Sequence, residues 1–425
     1  MKTVRPHYCD VLIIGSGPAG MAAALAAAPA GASIVMVDDN PAPGGQIWRG
    51  GPGVQLPSEA KMRREALLRH ANITQLNSTK LVAVPHSKEV LLEDAIQGWC
   101  LRYDKAIICT GARELLLPFP GWTLPGVTGA GGLQALIKGG LSVRGERIVV
   151  AGSGPLLLVV AATAKAAGAE VLRVAEQAPL SAVAAFAASL VHWPSKAVQA
   201  LGLIHTGYRT SSHVLAASGQ GHLESVRLQQ GAHMIDMACD RLACGFGLIP
   251  NTQIGQALGC AVDEHNAIAV DAWQACSLPD HFAAGECTGF GGSERALVQG
   301  RIAGLAAVAK RADALALWPS RQRWDAFSAS LQHHFTLEPP IKSLATPDTI
   351  VCRCEDVRYG QIASCNSWID AKLTTRCGMG ACQGRVCGAA AQHLFGWSLP
   401  VPRTPLTPTR ISTFVQKAVK IDSSE

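Results

Sequence analysis

Residues 9–39 read CDVLIIGSGPAGMAAALAAAPAGASIVMVDD. A β-rich apolar run, 11–14, leads into Gly15, Gly17 and Gly20, spaced G-x-G-x-x-G, with Pro18 and Ala19 between the last two. An Ala-rich stretch of helical composition follows, then a second apolar run, 34–37, that ends on Asp38. Each part has a physical task. Gly15 permits a tight turn, Gly17 lets the backbone approach a pyrophosphate, and Gly20 lets helix and strand pack closely. The helix N-terminus attracts phosphate charge. Asp38, at the end of the second strand, accepts hydrogen bonds from a ribose. Asp39 is the alternative acid, one residue out of register. Strand, glycine turn, helix, strand and terminal acid in this order predict a dinucleotide site in an α/β domain.

Three further segments point to FAD. Gly44, Gly45 and Gln46 follow the acid, as in flavoprotein reductases. IICTGARE at 107–114 carries the turn Thr110–Gly111 expected where a chain leaves a flavin domain for a second nucleotide domain. FAAGECTGFGGSERALVQGRIAG at 282–304 reads as strand, glycine turn and helix, and resembles the late FAD motif. In that motif the acid after Gly285 contacts the ribityl chain, and Glu286 stands where Asp is usual.

RIVVAGSGPLLLVVAATAKAAGAEVLRVAE at 147–176 repeats the first unit imperfectly. Gly152 and Gly154 match Gly15 and Gly17, but Leu157 replaces the third glycine. By residue count Ala175 matches Asp38, and Glu176 falls one residue late. No arginine pair follows to read a 2′-phosphate. The segment predicts the fold of an NAD-like domain with a degenerate site.

The length of 425 residues implies two or three domains. At 48% hydrophobic and 16% charged, the chain supports a large core and no general disorder. A net charge of +6 without a basic run or interleaved aromatics gives no support for nucleic-acid binding. Two apolar stretches, 11–28 and 148–164, imitate a signal peptide and a membrane span. A Gly-x-Gly turn interrupts each, so no transmembrane segment is expected, and any membrane association would come through partners. No C-x-x-C occurs, which argues against a thioredoxin-type dithiol.

Five of the fourteen cysteines lie late in the chain: Cys352 and Cys354 in VCRCED, and Cys377, Cys382 and Cys387 in TRCGMGACQGRVCG. In an extended segment i and i+2 side chains point the same way, so Cys352 and Cys354 can reach one ion. Glycines let the second group curl. Four thiolates suit zinc or a [2Fe–2S] cluster; the missing C-x-x-C knuckles and the flavin favour iron–sulfur. Arg353, Arg376 and Arg385 are expected to offset its negative charge. Cys365 reads as packing, and the eight earlier cysteines as small core hydrophobes. Such clustering in a long chain fits the reducing cytoplasm.

Together GARELLLPFPGWTLPGV, AGSGPLLL, VCRCEDV and GMGACQGRVCG resemble the α (A) subunits of heteromeric amine dehydrogenases, the group of opine oxidases, D-hydroxyproline dehydrogenase and hydrogen cyanide synthase. The C-terminal part is similar to the bacterioferritin-associated-ferredoxin type of [2Fe–2S] domain. The resemblance implies Cys352, Cys354, Cys382 and Cys387 as cluster ligands, with Cys377 a neighbour. It also implies a separate catalytic flavoprotein β subunit, similar to amine oxidases, that oxidises a secondary or primary amine. An FMN at the subunit interface, a small third subunit, and a quinone or electron-transfer protein as external acceptor belong to the same expectation. The rival reading is a self-sufficient NAD(P)H-dependent flavin and iron–sulfur reductase. The expected architecture is an FAD domain from 1–115 and 270–320, an inserted NAD-like domain at 116–269, a linker at 321–346, a [2Fe–2S] domain at 347–396, and an extended Pro-rich tail at 397–425.

Overall fold

A computed structural model describes residues 5–52 and 54–415. They fall into two compact units. The first takes in the chain up to Arg113, then Pro250–Ser328, and the tail from Val401 on; the second takes in Glu114–Ile249 and Ala329–Pro400. Residues 250–269 thus group with the flavin-type unit, and the late cysteine segment groups with the NAD-like one.

The first unit is built on β1 (Tyr8–Ile14), α1 (Pro18–Ala27) and β2 (Ile34–Val37). Its sheet runs Ile73–Leu76, β2, β1, Gly98–Ile108, Glu89–Glu93, Lys80–His86, and His281–Ala283 adds beside the end of Gly98–Ile108. β1 pairs in parallel with both β2 and Gly98–Ile108, so the ends of these strands, where a nucleotide would lie, share one edge of the sheet. The alanine run has a packing reason. α1 is buried over most of its circumference, including Ala19, Ala22, Ala23, Ala24 and Ala27, as expected for a helix apolar all round. One neighbour is the helix Gly292–Ala307, whose Gly300 and Gly304 lie against the backbone of Ala19 and Ala23; a Cβ at either glycine would collide with the facing carbonyl.

The proline-rich tail packs within this unit. Leu406 N–H donates to Val82 O at 2.8 Å, and the Arg410 guanidinium donates to the carbonyls of Asp94, Ala95 and Ile96. The expected tail continues over 416–425, outside the described residues.

The second unit repeats the motif with β3 (Arg147–Gly152), α2 (Leu156–Ala166) and β4 (Glu170–Glu176) in a five-stranded parallel sheet. Ser212–Ser218, Ser225–Gln230 and His233–Ala238 form an antiparallel meander beside them in sequence. The cysteine segment has its own small core, which includes Trp368, Ile362 and Trp397. No helix among the described residues is long and apolar enough to cross a membrane.

The α1 contact generates a test. Gly300→Val should destabilise the protein by about 3 kcal/mol, the upper end of ordinary overpacking, because backbone rather than a movable side chain stands in the way. Thermal unfolding would read this as a drop in Tm; an unchanged Tm would show that the two helices can separate without cost.

Candidate functional site

The first glycine loop is held by its own strand ends. Gly15 has φ +104°, and a Cβ there would collide with the carbonyl of Cys109. Gly20 is excluded from carrying a side chain by the carbonyl of Gly15. Gly17 differs: among the described residues a Cβ there would meet just the Cα of Gly45, at 3.9 Å, an ordinary contact and not a collision. Gly45, at φ +58°, returns the contact, and Gly44 N–H donates to Ser16 O at 2.8 Å. The GGQ loop therefore lies beside the first glycine turn.

Asp38 fastens the loop. Its Oδ2 accepts from the Ser16 N–H at 2.6 Å and the Ser16 hydroxyl at 2.7 Å, and its Oδ1 accepts from the backbone and side chain of Asn40 at 2.8 Å. A carboxylate offers about four acceptor sites and these four bonds occupy them, so a ribose hydroxyl would take the place of one of the present donors. Asp39 is exposed and accepts from the Asn40 amide at 3.2 Å. Gln46 accepts from Arg49 at 3.0 Å.

The other flavin-type residues converge on the same sheet edge. Thr110 donates to Asn251 O, Asn251 N–H donates to Gly111 O at 2.9 Å, and the Asn251 amide donates back to Thr110 O at 3.0 Å. Gly111, at φ +68°, faces open space. Gly285, at φ +83°, would place a Cβ 2.8 Å from that of Ala19 at the start of α1; its N–H donates to Gln299 at 2.9 Å. Pro18 occupies the first turn of α1. Burial pushes the Glu286 carboxyl above its ordinary value, with Arg295 acting in the opposite direction.

This cradle fits a dinucleotide of the flavin type. Gly111 opens outward, and buried polar atoms beside the turns, Arg49 Nε, Arg64 Nε and Gln299 Nε2, lack a protein partner. Arg49, Arg64, Asn251 and Gln299 were not foreseen. Asn251 reaches Thr110 across 141 positions of sequence, and no local motif announces such a pairing.

The second loop has a different end. The β3–β4 register shifts between Val171 and Arg173, and Gly152 pairs with Glu176. This bulge absorbs one residue, so Glu176, and not Ala175, occupies the place of Asp38. It makes a comparable bond one residue further along the loop, accepting from Gly154 N–H at 2.7 Å, and a further one from Ala178 N–H at 2.9 Å. Leu157 is turned fully into the core, where Gly245 leaves it room. The loop itself is covered by the chain. Ser153 donates to Phe335 O, Gln177 donates to Thr336 O, both at 3.0 Å, and Glu338 N–H donates to Gln177 at 2.9 Å. The Phe335 ring stands 3.8 Å from where a Cβ of Gly154 would be.

The five late cysteines fall into a buried trio and a separate, more exposed pair. The sulfurs of Cys352, Cys377 and Cys387 are buried and lie within 4.8 Å of one another. The Cys387 thiol hydrogen-bonds with those of Cys377 and Cys352, and the Cys354 thiol, more exposed, with that of Cys382. Gly378 N–H donates to Cys352 Sγ at 3.5 Å. Gly378 and Gly384, both at positive φ, lie against the Trp368 ring, which accounts for the glycine spacing of the loop. A donor set of thiols alone suits iron–sulfur or zinc. Two of the expected compensating cations are directed elsewhere: Arg353 stacks over Trp122 at 4.9 Å, and Arg376 pairs with Glu355 at 2.9 Å. Trp122 also donates to Ile350 O at 2.6 Å, anchoring the strand Ile350–Cys352 that carries the first cysteine of the C-x-C pair. Cys365 donates weakly to Gln361 O and stands apart from the buried trio. An earlier pair, Cys239 and Cys244, has both thiols in the second unit's apolar core, where burial pushes Cys239 up to about 11.

The model of the pyridine nucleotide-disulphide oxidoreductase family matches residues 9–312. The HcnB subunit of hydrogen cyanide synthase from Pseudomonas aeruginosa is 31% identical, over 95% of this chain and 97% of its own. An opine oxidase subunit from Rhizobium meliloti is 32% identical, over 91% of this chain and 92% of its own. Among solved structures, L-proline dehydrogenase from P. horikoshii shares the fold at a TM-score of 0.68 and 17% identity, over 97% of this chain and 80% of that one.

Glu176 supplies a pH test. Burial raises its carboxyl from 4.5 to about 7. Between those values the unfolded state binds fewer protons than the folded one, so stability falls as pH rises, by about 3 kcal/mol once pH passes 7. Denaturant midpoints at pH 5 and pH 8 should therefore separate less in Glu176→Gln than in wild type. Equal separations would mean that the carboxylate is solvated.

Proposed function

Because the chain belongs to the pyridine nucleotide-disulphide oxidoreductase family, and is a flavin-dependent oxidoreductase by that membership, we propose that it is the electron-transfer subunit of a heteromeric amine dehydrogenase. The observation that carries this reading is the presence, in one chain, of a flavin-type cradle and a buried trio of thiols accompanied by a second thiol pair. When bound, FAD exchanges electrons in pairs or singly, and a [2Fe–2S] cluster carries them one at a time.

The chain's own residues divide the work. Gly15, Gly17 and Gly20 admit the pyrophosphate, Asp38 takes the ribose hydroxyls, and Thr110, Gly111, Gly285 and Glu286 line the flavin end. Cys352, Cys354, Cys382 and Cys387 are the cluster ligands. Two thiol contacts each join one member of the C-x-C pair to one of the later pair, Cys352 with Cys387 and Cys354 with Cys382. That two-by-two set suits two irons with two thiolates each, and Cys377 remains beside it as a neighbour.

The substrate is handled elsewhere. A catalytic flavoprotein partner removes two electrons and two protons from a CH–NH bond of an opine or similar amine, leaving an imine. The electrons would pass to this chain and leave to a quinone or an electron-transfer protein; an FMN at the interface would serve as a carrier between the subunits. The rival reading, reduction by NAD(P)H, is disfavoured by residues 335–338, which cover the second glycine loop.

Cys382→Ser and Cys387→Ser should each strip iron and acid-labile sulfide from anaerobically purified protein. FAD should stay, because its site lies in the other unit, and Cys377→Ser should keep all three. Zinc in place of iron in wild type would contradict the electron-transfer role. Loss of the cluster in Cys377→Ser with retention in Cys387→Ser would reassign the ligands. The chain purified alone should not turn over opines or proline derivatives; turnover by the lone chain would place the amine site here.

A further inference from the structure

After β4 the chain forms two short helices in succession, α3 (Leu180–Ser189) and α4 (Pro194–Leu201). Their inner side is anchored: Phe186 packs edge-on against Phe335 at 5.0 Å, and Leu190 and Trp193 are buried. The outer side is apolar. Leu180, Ala184, Ala187 and Val191 recur at helical spacing and all are exposed. α4 has no buried residue at all, and its Val198 and Leu201, with Ile204 beyond, are likewise exposed. The five large side chains are between 67% and 75% exposed. An eight-residue helix is marginal in water on its own, so such a stripe is the mark of a surface that is covered in use.

Charge narrows the occupant. Residues 177–223 contain no Asp or Glu, whereas Lys196 and Arg209 lie in that segment. A helix lying in a membrane interface carries a Lys/Arg-rich polar face and an aromatic wedge. Here the cations are two, Phe186 and Trp193 point inward, and the stripe is rich in alanine, which favours close approach by another protein backbone. The relatives are themselves named as subunits.

We propose that the stripe Leu180, Val191, Val198, Leu201 and Ile204 is the docking surface for the partner subunit, an apolar protein face rimmed by carboxylates that meet Lys196 and Arg209. The proposal rests on the reading of the chain as one subunit of a heteromer.

The test uses the tagged full-length chain recovered from its own cells, with assembly mass read by light scattering and hydrogen exchange measured over peptides covering 178–206. Wild type should be recovered in a heteromer in which these peptides exchange more slowly than in the lone chain. The triple variant Val191→Glu, Val198→Glu, Leu201→Glu should keep its FAD and its Tm but associate at least about 100-fold more weakly. A variant that assembles as well as wild type, with unprotected peptides, overturns the surface and leaves the subunit reading intact. A wild-type chain that is monomeric in its own cells overturns both. Variant-sensitive flotation with phosphatidylglycerol vesicles, or a variant-sensitive homodimer, assigns the stripe to another occupant and overturns the proposal.

Discussion

The first unit depends on one close approach, the backbone of α1 lying against the backbone of the helix Gly292–Ala307. Gly300 and Gly304 exist at this crossing because the carbonyls of Ala19 and Ala23 occupy the space a Cβ would need. The consequence reaches the site directly. The late strand and turn, 281–286, can then lie beside the first glycine loop, with Gly285 against Ala19. Gly285 and Ala19, far apart in sequence, are thereby brought to one sheet edge. A larger residue at either glycine would displace the flavin end from the pyrophosphate end.

The two glycine loops show how the same local topology can open or close a site. In both, an acid at the end of the second strand accepts from the loop backbone, Asp38 from Ser16 and Glu176 from Gly154. In the first loop the described neighbour of Gly17 is the Gly45 backbone, itself part of the cradle. The second has Phe335 next to Gly154 and hydrogen bonds from Ser153 and Gln177 to residues 335 and 336. Fold is retained and access is lost, which is why function is argued from the site and not from the domain.

Much of this was legible in sequence because it is local. The β1–α1–β2 unit, the GGQ loop and the late glycine turn each announce themselves within a few dozen residues. What escaped depended on distant pairings. A bulge at residue 172 moved Glu176 into the place assigned by counting to Ala175. Arg353 and Arg376, adjacent in sequence to cysteines, are drawn to Trp122 and Glu355. The late cysteines read as a group, yet spacing alone gave no sign that Cys377 would be buried beside Cys352 and Cys387. The cover over the second loop comes from a segment that reads as a linker.

The central claim is that this chain relays electrons and does not collect them from a nicotinamide nucleotide. Anaerobic stopped-flow mixing of the purified, FAD-loaded chain with excess NADH or NADPH tests it most directly. The account predicts that flavin absorbance persists for many seconds, while dithionite bleaches it at once. Bleaching by either nucleotide at enzymatic rates, on the order of ten per second, would contradict it.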